Sequence, residues 1–232
     1  INTDLKASGK QPLTIVAKDF DENGSIDPII GYYVNGINYP LPNRDALISQ
    51  ISGMKRRFPY YKIYGNATFD QIFSKEELDG ALRKEITMLG TVFLENQGNG
   101  SFTYKLLPES AQMAPVYGIS IADVNGDGKP DVLLTGNRTD TETLGGYLNG
   151  SIGTVLLGNG LGGFRNLEVD KSGFNTPGDT RGIAQLISDK GTDFLVANNN
   201  GKLQCFTLET NLRMLFLEPE DIYALIKMPD GK

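Results

Sequence analysis

Short β-prone segments recurring in groups predict an all-β fold, a partial β-propeller of about three four-stranded blades with a small helical insertion. Three observations carry this: two acidic loops that match position by position, Gly-rich turns that follow each loop at a distance, and seven Asn-Gly pairs. Asn-Gly supplies the positive φ angles of type I′ hairpin turns, so its frequency favours antiparallel sheet. Glycine accounts for 28 of the 232 residues and hydrophobic side chains for 39%, which suits many short elements joined by tight turns.

The first repeat opens with Thr14-Ile15-Val16-Ala17, continues through an acidic loop from Asp19 to Asp27, and runs on in apolar residues to Val34. The second has Gly118-Ile119-Ser120-Ile121-Ala122, a loop from Asp123 to Asp131, and the run Val132 to Thr135. A strand, a Gly-rich turn and a strand complete each. In the first they run from Gly90 through Gly98-Asn99-Gly100 to Phe102, and in the second from Gly153 through Gly158-Asn159-Gly160 to Phe164. A weaker third copy runs from Ile183 through Phe194-Leu195-Val196 and Asn200-Gly201 to Phe206. Blades are therefore expected over residues 1–212. Residues 213–232 read as the start of a further β segment, cut short at Met228-Pro229-Asp230-Gly231-Lys232. Three units fall short of the roughly four to eight blades of a closed ring, so an open arc is expected.

Residues 42–89 interrupt the first repeat as a helical insertion. Asn43 can cap a helix that places Leu47, Ile48, Ile51 and Met54 at helical spacing. Ser74-Lys75-Glu76-Glu77 reads as a capping box opening a second helix with Leu78, Ala81 and Leu82 on one face. Both stripes are expected to pack on a blade. Lys55-Arg56-Arg57, with Tyr60, Tyr61 and Lys62 nearby, reads as a cationic helix end favoured by the helix dipole.

Calcium takes about six to eight oxygen ligands, and a short loop can wrap it only if alternate side chains turn inward around a sharp bend. The loops supply that pattern at positions 1, 3, 5, 7 and 9, with glycine at position 6. In the first loop the ligands are Asp19, Asp21, Asn23, the Ser25 carbonyl and Asp27; in the second, Asp123, Asn125, Asp127, the Lys129 carbonyl and Asp131. Two calcium ions are expected. An EF-hand is the wrong reading, because its position 12 needs an acid where this chain has Ile30 and Leu134. The competing reading is an Asp/Asn/Gly turn that satisfies its own backbone. Against it, six aspartates crowded into two loops repel one another without a cation. In the third repeat Gln185 and Ile187 stand where Asp123 and Asn125 do, so no metal is expected there.

These paired loops, with the Asn-x-Gly-x-Gly-x-Phe turn at Asn96, resemble FG-GAP/VCBS repeats over roughly residues 10–210. Ala114-Pro115-Val116-Tyr117-Gly118 and the inserted helices resemble a secreted bacterial subgroup often associated with ASPIC/UnbV-type C-terminal regions. The resemblance implies a calcium-bearing propeller module of a secreted or cell-surface bacterial protein.

Composition excludes several chemistries. The chain has no histidine, so Ser–His and Cys–His catalysis and His-ligated zinc are absent. Cys205 is the single cysteine and, in the alternating Leu203-Gln204-Cys205-Phe206, is expected to be buried and inert. A net charge of −6 is unsuited to nucleic acid or anionic membrane, and no apolar run approaches a transmembrane length. The chain begins at Ile1 without a leader, so an export signal is expected to have been removed or to lie far upstream.

The function expected is non-enzymatic: a calcium-rigidified module that binds a protein or glycan, located outside the cytoplasm. The alternatives are a carboxylate-dependent glycan-active enzyme and a purely structural fragment that self-associates edge to edge. Arg138 and Tyr147, in the polar loop 137–151, are candidate ligand contacts. Asn66, Asn99, Asn137 and Asn149 fit the glycosylation sequon but are expected to be unmodified.

Overall fold

A computed structural model describes residues 3–141, 146–188 and 191–209. The further β segment expected over 213–232 lies outside the described residues. Strand outweighs helix, 41% against 13%, and among the described residues the strands form four antiparallel sheets, none closed into a barrel. The chain divides into two compact units, residues 1–90 and 91–232.

In the first unit, β1 (Leu13–Lys18) pairs with β2 (Asp27–Val34), which turns through Asn35-Gly36 into β3 (Ile37–Pro40). Asn35 and Gly36 have φ of 50° and 83°, the left-handed pair that a two-residue hairpin turn needs. Four short helices follow: α1 (Arg44–Gln50), α2 (Met54–Arg57), α3 (Tyr61–Tyr64) and α4 (Phe69–Ile72). Asn43 caps α1 as its sequence suggests, accepting from the Ala46 amide at 2.9 Å. Strand β4 (Leu82–Ile86) then closes the sheet in the order β3-β2-β1-β4. Leu47, Ile51, Met54, Phe69 and Ile72 bury against Val16 and Ile29 of the sheet, so the insertion's apolar stripe is core.

Two expectations change here. The Ser74 capping box forms, with Ser74 N donating to Glu77 and Glu77 N to Ser74 Oγ, yet no second helix follows. Gly80 at φ 70° breaks the turn, and Leu82 enters β4 with its side chain exposed. Likewise, β5 (Val92–Gly98) and β6 (Ser101–Leu106) form the expected hairpin but as a separate two-stranded sheet. The edge of β2 is already taken by β3. A two-residue turn closes that pairing at far less entropic cost than the long connection from Val34 to Val92.

The second unit contains that hairpin, then β7 (Val116–Ala122), β8 (Asp131–Gly136), β9 (Thr154–Gly158) and β10 (Phe164–Leu167) in one sheet of order β10-β9-β8-β7. This is the four-strand meander expected of the second repeat. After the single turn α5 (Val169–Ser172), strands β11 (Thr180–Ser188), β12 (Gly191–Asn198) and β13 (Gln204–Leu208) form a third meander. Leu133, Val155 and Leu157 pack with Phe174, Phe194 and Val196 on one side of the β7–β10 sheet. Leu134 and Leu156 pack with Ala111 on the other. Burial on both faces explains why β8 and β9 read as continuous apolar runs rather than alternating ones.

Cys205 corrects its expectation: it is exposed. It pairs with Leu195, while its neighbours in register, Phe206 and Phe194, face the core. Among the described residues no helix is long and apolar enough to cross a membrane.

Candidate metal centre

Both acidic loops are held at the same register, Lys18 opposite Asp27 and Ala122 opposite Asp131, with eight residues between. Their hydrogen bonds repeat. The position-1 carboxylate accepts from the amides of positions 5 and 6: Asp19 from Asn23 and Gly24 at 3.0 and 2.8 Å, Asp123 from Asp127 and Gly128 at 3.1 and 2.7 Å. The position-5 side chain accepts from the position-7 amide, Asn23 from Ser25 at 2.8 Å and Asp127 from Lys129 at 2.9 Å. That last bond holds the Asp127 carboxyl below its ordinary value, with the Lys129 charge assisting.

Position 9 is a buried clasp. Asp27 accepts from the Phe20 amide at 3.1 Å and Asp131 from the Val124 amide at 3.0 Å, so each aspartate secures position 2 of its loop. Position 2 is the feature the ligand pattern does not include. Phe20 stacks on Phe73 with centroids 4.5 Å apart, and Val124 packs beside Leu133 and Phe194. Its sequence signal is an apolar residue between the ligand positions 1 and 3 in both loops, Asp19-Phe20-Asp21 and Asp123-Val124-Asn125. Asp131 Oδ1 also accepts from Gly158 at 2.8 Å, tying the second loop to β9. A Cβ on Gly158 would lie 2.1 Å from the Pro130 carbonyl, so only glycine fits there.

The loops differ at position 3. In the first, the carboxylate oxygens of Asp19, Asp21 and Asp27 lie within 4.8 Å of one another. Asp21 Oδ1 is closed off from solvent and receives no hydrogen bond. In the second, position 3 is Asn125, whose oxygen accepts from the Asp127 amide at 2.9 Å. Among the described residues the Asp19–Asp21–Asp27 group alone converges this closely, so Asp123, Asp127 and Asp131 are not gathered in the same way. Three hard carboxylates around an unsatisfied oxygen suit a hard divalent cation, and calcium fits that donor chemistry. The third repeat has no such loop: Ser188 pairs with Gly191 across a two-residue interval, and Gln185 and Ile187 lie within the β11–β12 ladder.

The other candidates are mostly committed to structure. Arg138 is paired with Asp140 at 2.8 Å, and Arg181 bridges Asp140 and Asp179 with its guanidinium 4.7 Å from the centre of the Tyr117 ring. Arg181 Nε approaches Asp179 Oδ1 at 2.9 Å without hydrogen-bond alignment, so that contact is electrostatic. Tyr147 is exposed. Asn137 is fully buried, donating to the Ser151 and Gly178 carbonyls, so its sequon is inaccessible in the fold. Arg57 forms a two-pronged pair with Glu77, which removes it from any anion-binding patch. The chain matches no family model and no solved structure.

Proposed function

We propose that this chain is a calcium-binding β-propeller module of the FG-GAP/VCBS kind, from a secreted or cell-surface protein, that binds a protein or glycan partner. The observation that carries the reading is the convergence of Asp19, Asp21 and Asp27 around a buried, unpartnered carboxylate oxygen. The sheets β7–β10 and β11–β13, packed face to face as successive meanders, support the propeller arc. A binding role is favoured over catalysis because, among the described residues, the carboxyls with displaced pKa values (Glu76, Glu77, Asp127, Asp140 and Asp179) are all displaced downward. A general acid would need the opposite shift.

Calcium affinity on the order of 10⁻⁴–10⁻³ M is expected, which requires a compartment rich in calcium. At about ten times Kd, each occupied site adds about 1.4 kcal/mol of stability, visible as a rise in melting temperature. Calorimetry that detects no uptake in about 10 mM calcium sinks the reading.

A second reading, a fragment that associates through open faces, is favoured by the β5–β6 hairpin. Leu94, Phe102, Tyr104 and Leu106 share one of its faces, and each is more than half exposed. Light scattering should then show mass rising with concentration. A monomer at every concentration, with the same mass after Phe102→Ser, removes this reading.

A further inference from the structure

Resting on the calcium reading above, we propose that the two loops are unequal: the first is the high-affinity site, and the second is a self-satisfied loop that loads calcium only after it. Charge is the first reason. The side chains at positions 1, 3, 5 and 9 carry three carboxylates in each loop, but position 7 is Ser25 in one and Lys129 in the other. Lys129 Nζ sits 3.5 Å from Asp127 Oδ2, a resident cation where the ion's charge would act. The nearest lysine in sequence to the first loop, Lys18, is drawn away instead, donating to the carbonyls of Glu77 and Asp79 at 3.1 and 2.8 Å.

The second reason does not depend on charge. Asp21 Oδ1 is sealed from water with no donor, so it gains its first partner when an ion arrives. The oxygen at the same position of the second loop, Asn125 Oδ1, already has the Asp127 amide. Asp123 likewise accepts three amides, from Gly126, Asp127 and Gly128, where Asp19 accepts two. An ion entering the second loop therefore competes with bonds the loop has already made, whereas in the first it satisfies an oxygen that has none.

The test is calorimetric titration of the full chain with calcium alone, comparing wild type with Asp21→Asn and Lys129→Ser. Wild type should bind in two steps separated by about tenfold or more in affinity, within the range over which ligand charge tunes calcium loops. Asp21→Asn should abolish the tighter step and leave the weaker. Its melting temperature in metal-free buffer should hold or rise, because Asp21 Oδ1 has no hydrogen bond to lose and asparagine removes one of three crowded negative charges. Lys129→Ser should tighten the weaker step by several-fold and leave the tighter. A single step in wild type that Asp21→Asn removes also supports the order. Two indistinguishable steps, or an Asp21→Asn variant that keeps the tighter step, overturn it while leaving calcium binding intact. No uptake by wild type defeats the calcium reading and this inference with it.

Discussion

Asp131→Ala is expected to destabilise the second unit by about 3 kcal/mol in metal-free buffer, measured as a fall in the denaturation midpoint. The side chain is 0% exposed and its two oxygens accept the Val124 and Gly158 amides at 3.0 and 2.8 Å. Alanine leaves both donors buried and unpaired, at about 1–3 kcal/mol each. Asparagine keeps one acceptor and turns an N–H toward the other donor, so Asp131→Asn should fall between alanine and wild type. Asp27→Ala is the internal comparison. It occupies the matching place in the first loop but secures the Phe20 amide alone, so its cost should be about half. Equal losses at the two positions would show that the second tie, to β9, carries no weight. A loss that appears only in calcium would assign Asp131 to the ion rather than to the backbone.

The acidic loops were legible because their information is local. Asp, Asn and Gly at fixed offsets dictate both the turn and the inward side chains, and the repeated hydrogen bonds of Asp19 and Asp123 follow the alignment of the two segments. The same pattern could not reveal that the loops differ. The pairing of Asn125 with the Asp127 amide and the position of the Lys129 ammonium beside Asp127 are three-dimensional outcomes of changed residues at positions 3, 5 and 7.

The first sheet was less legible. Leu82-Arg83-Lys84-Glu85-Ile86 is compatible with a helical stripe, since Leu82 and Ile86 are four apart, and with a strand, since residues an even number apart share a face there too. Pairing of Thr14 with Glu85 decides for the strand, and that contact spans most of the unit. Cys205 failed for a related reason. Alternation along β13 separates two faces but does not say which one meets Phe174, and here Phe206 does, with ring centroids 4.8 Å apart. In sequence the third repeat resembles a copy with altered ligands, whereas the β11–β12 ladder continues to Ser188 opposite Gly191 and leaves no room for a nine-residue loop.

Phe194→Ala should be the most costly single substitution in the β11–β13 sheet, at about 3–5 kcal/mol. The ring is 2% exposed and lies in the cluster that joins this sheet to Leu133, Val155 and Leu157 of the neighbouring one. Its removal therefore takes apolar contact from both sheets at once and leaves a cavity whose walls are strands fixed by their ladders. Relaxation into that space is limited, which places the cost toward the upper end of the range. Hydrogen exchange should register the loss as faster exchange of the β12 and β13 amides, with the Ile29 and Ile72 core of the first unit unchanged, since the two clusters share no residue. Phe102→Ala provides the contrast, an aromatic of equal size on the exposed face of the β5–β6 hairpin, expected to cost less than about 1 kcal/mol. If the two substitutions cost the same, the packing between the β7–β10 and β11–β13 sheets is not what holds the second unit together, and the stacked arrangement that supports a propeller arc loses its energetic basis.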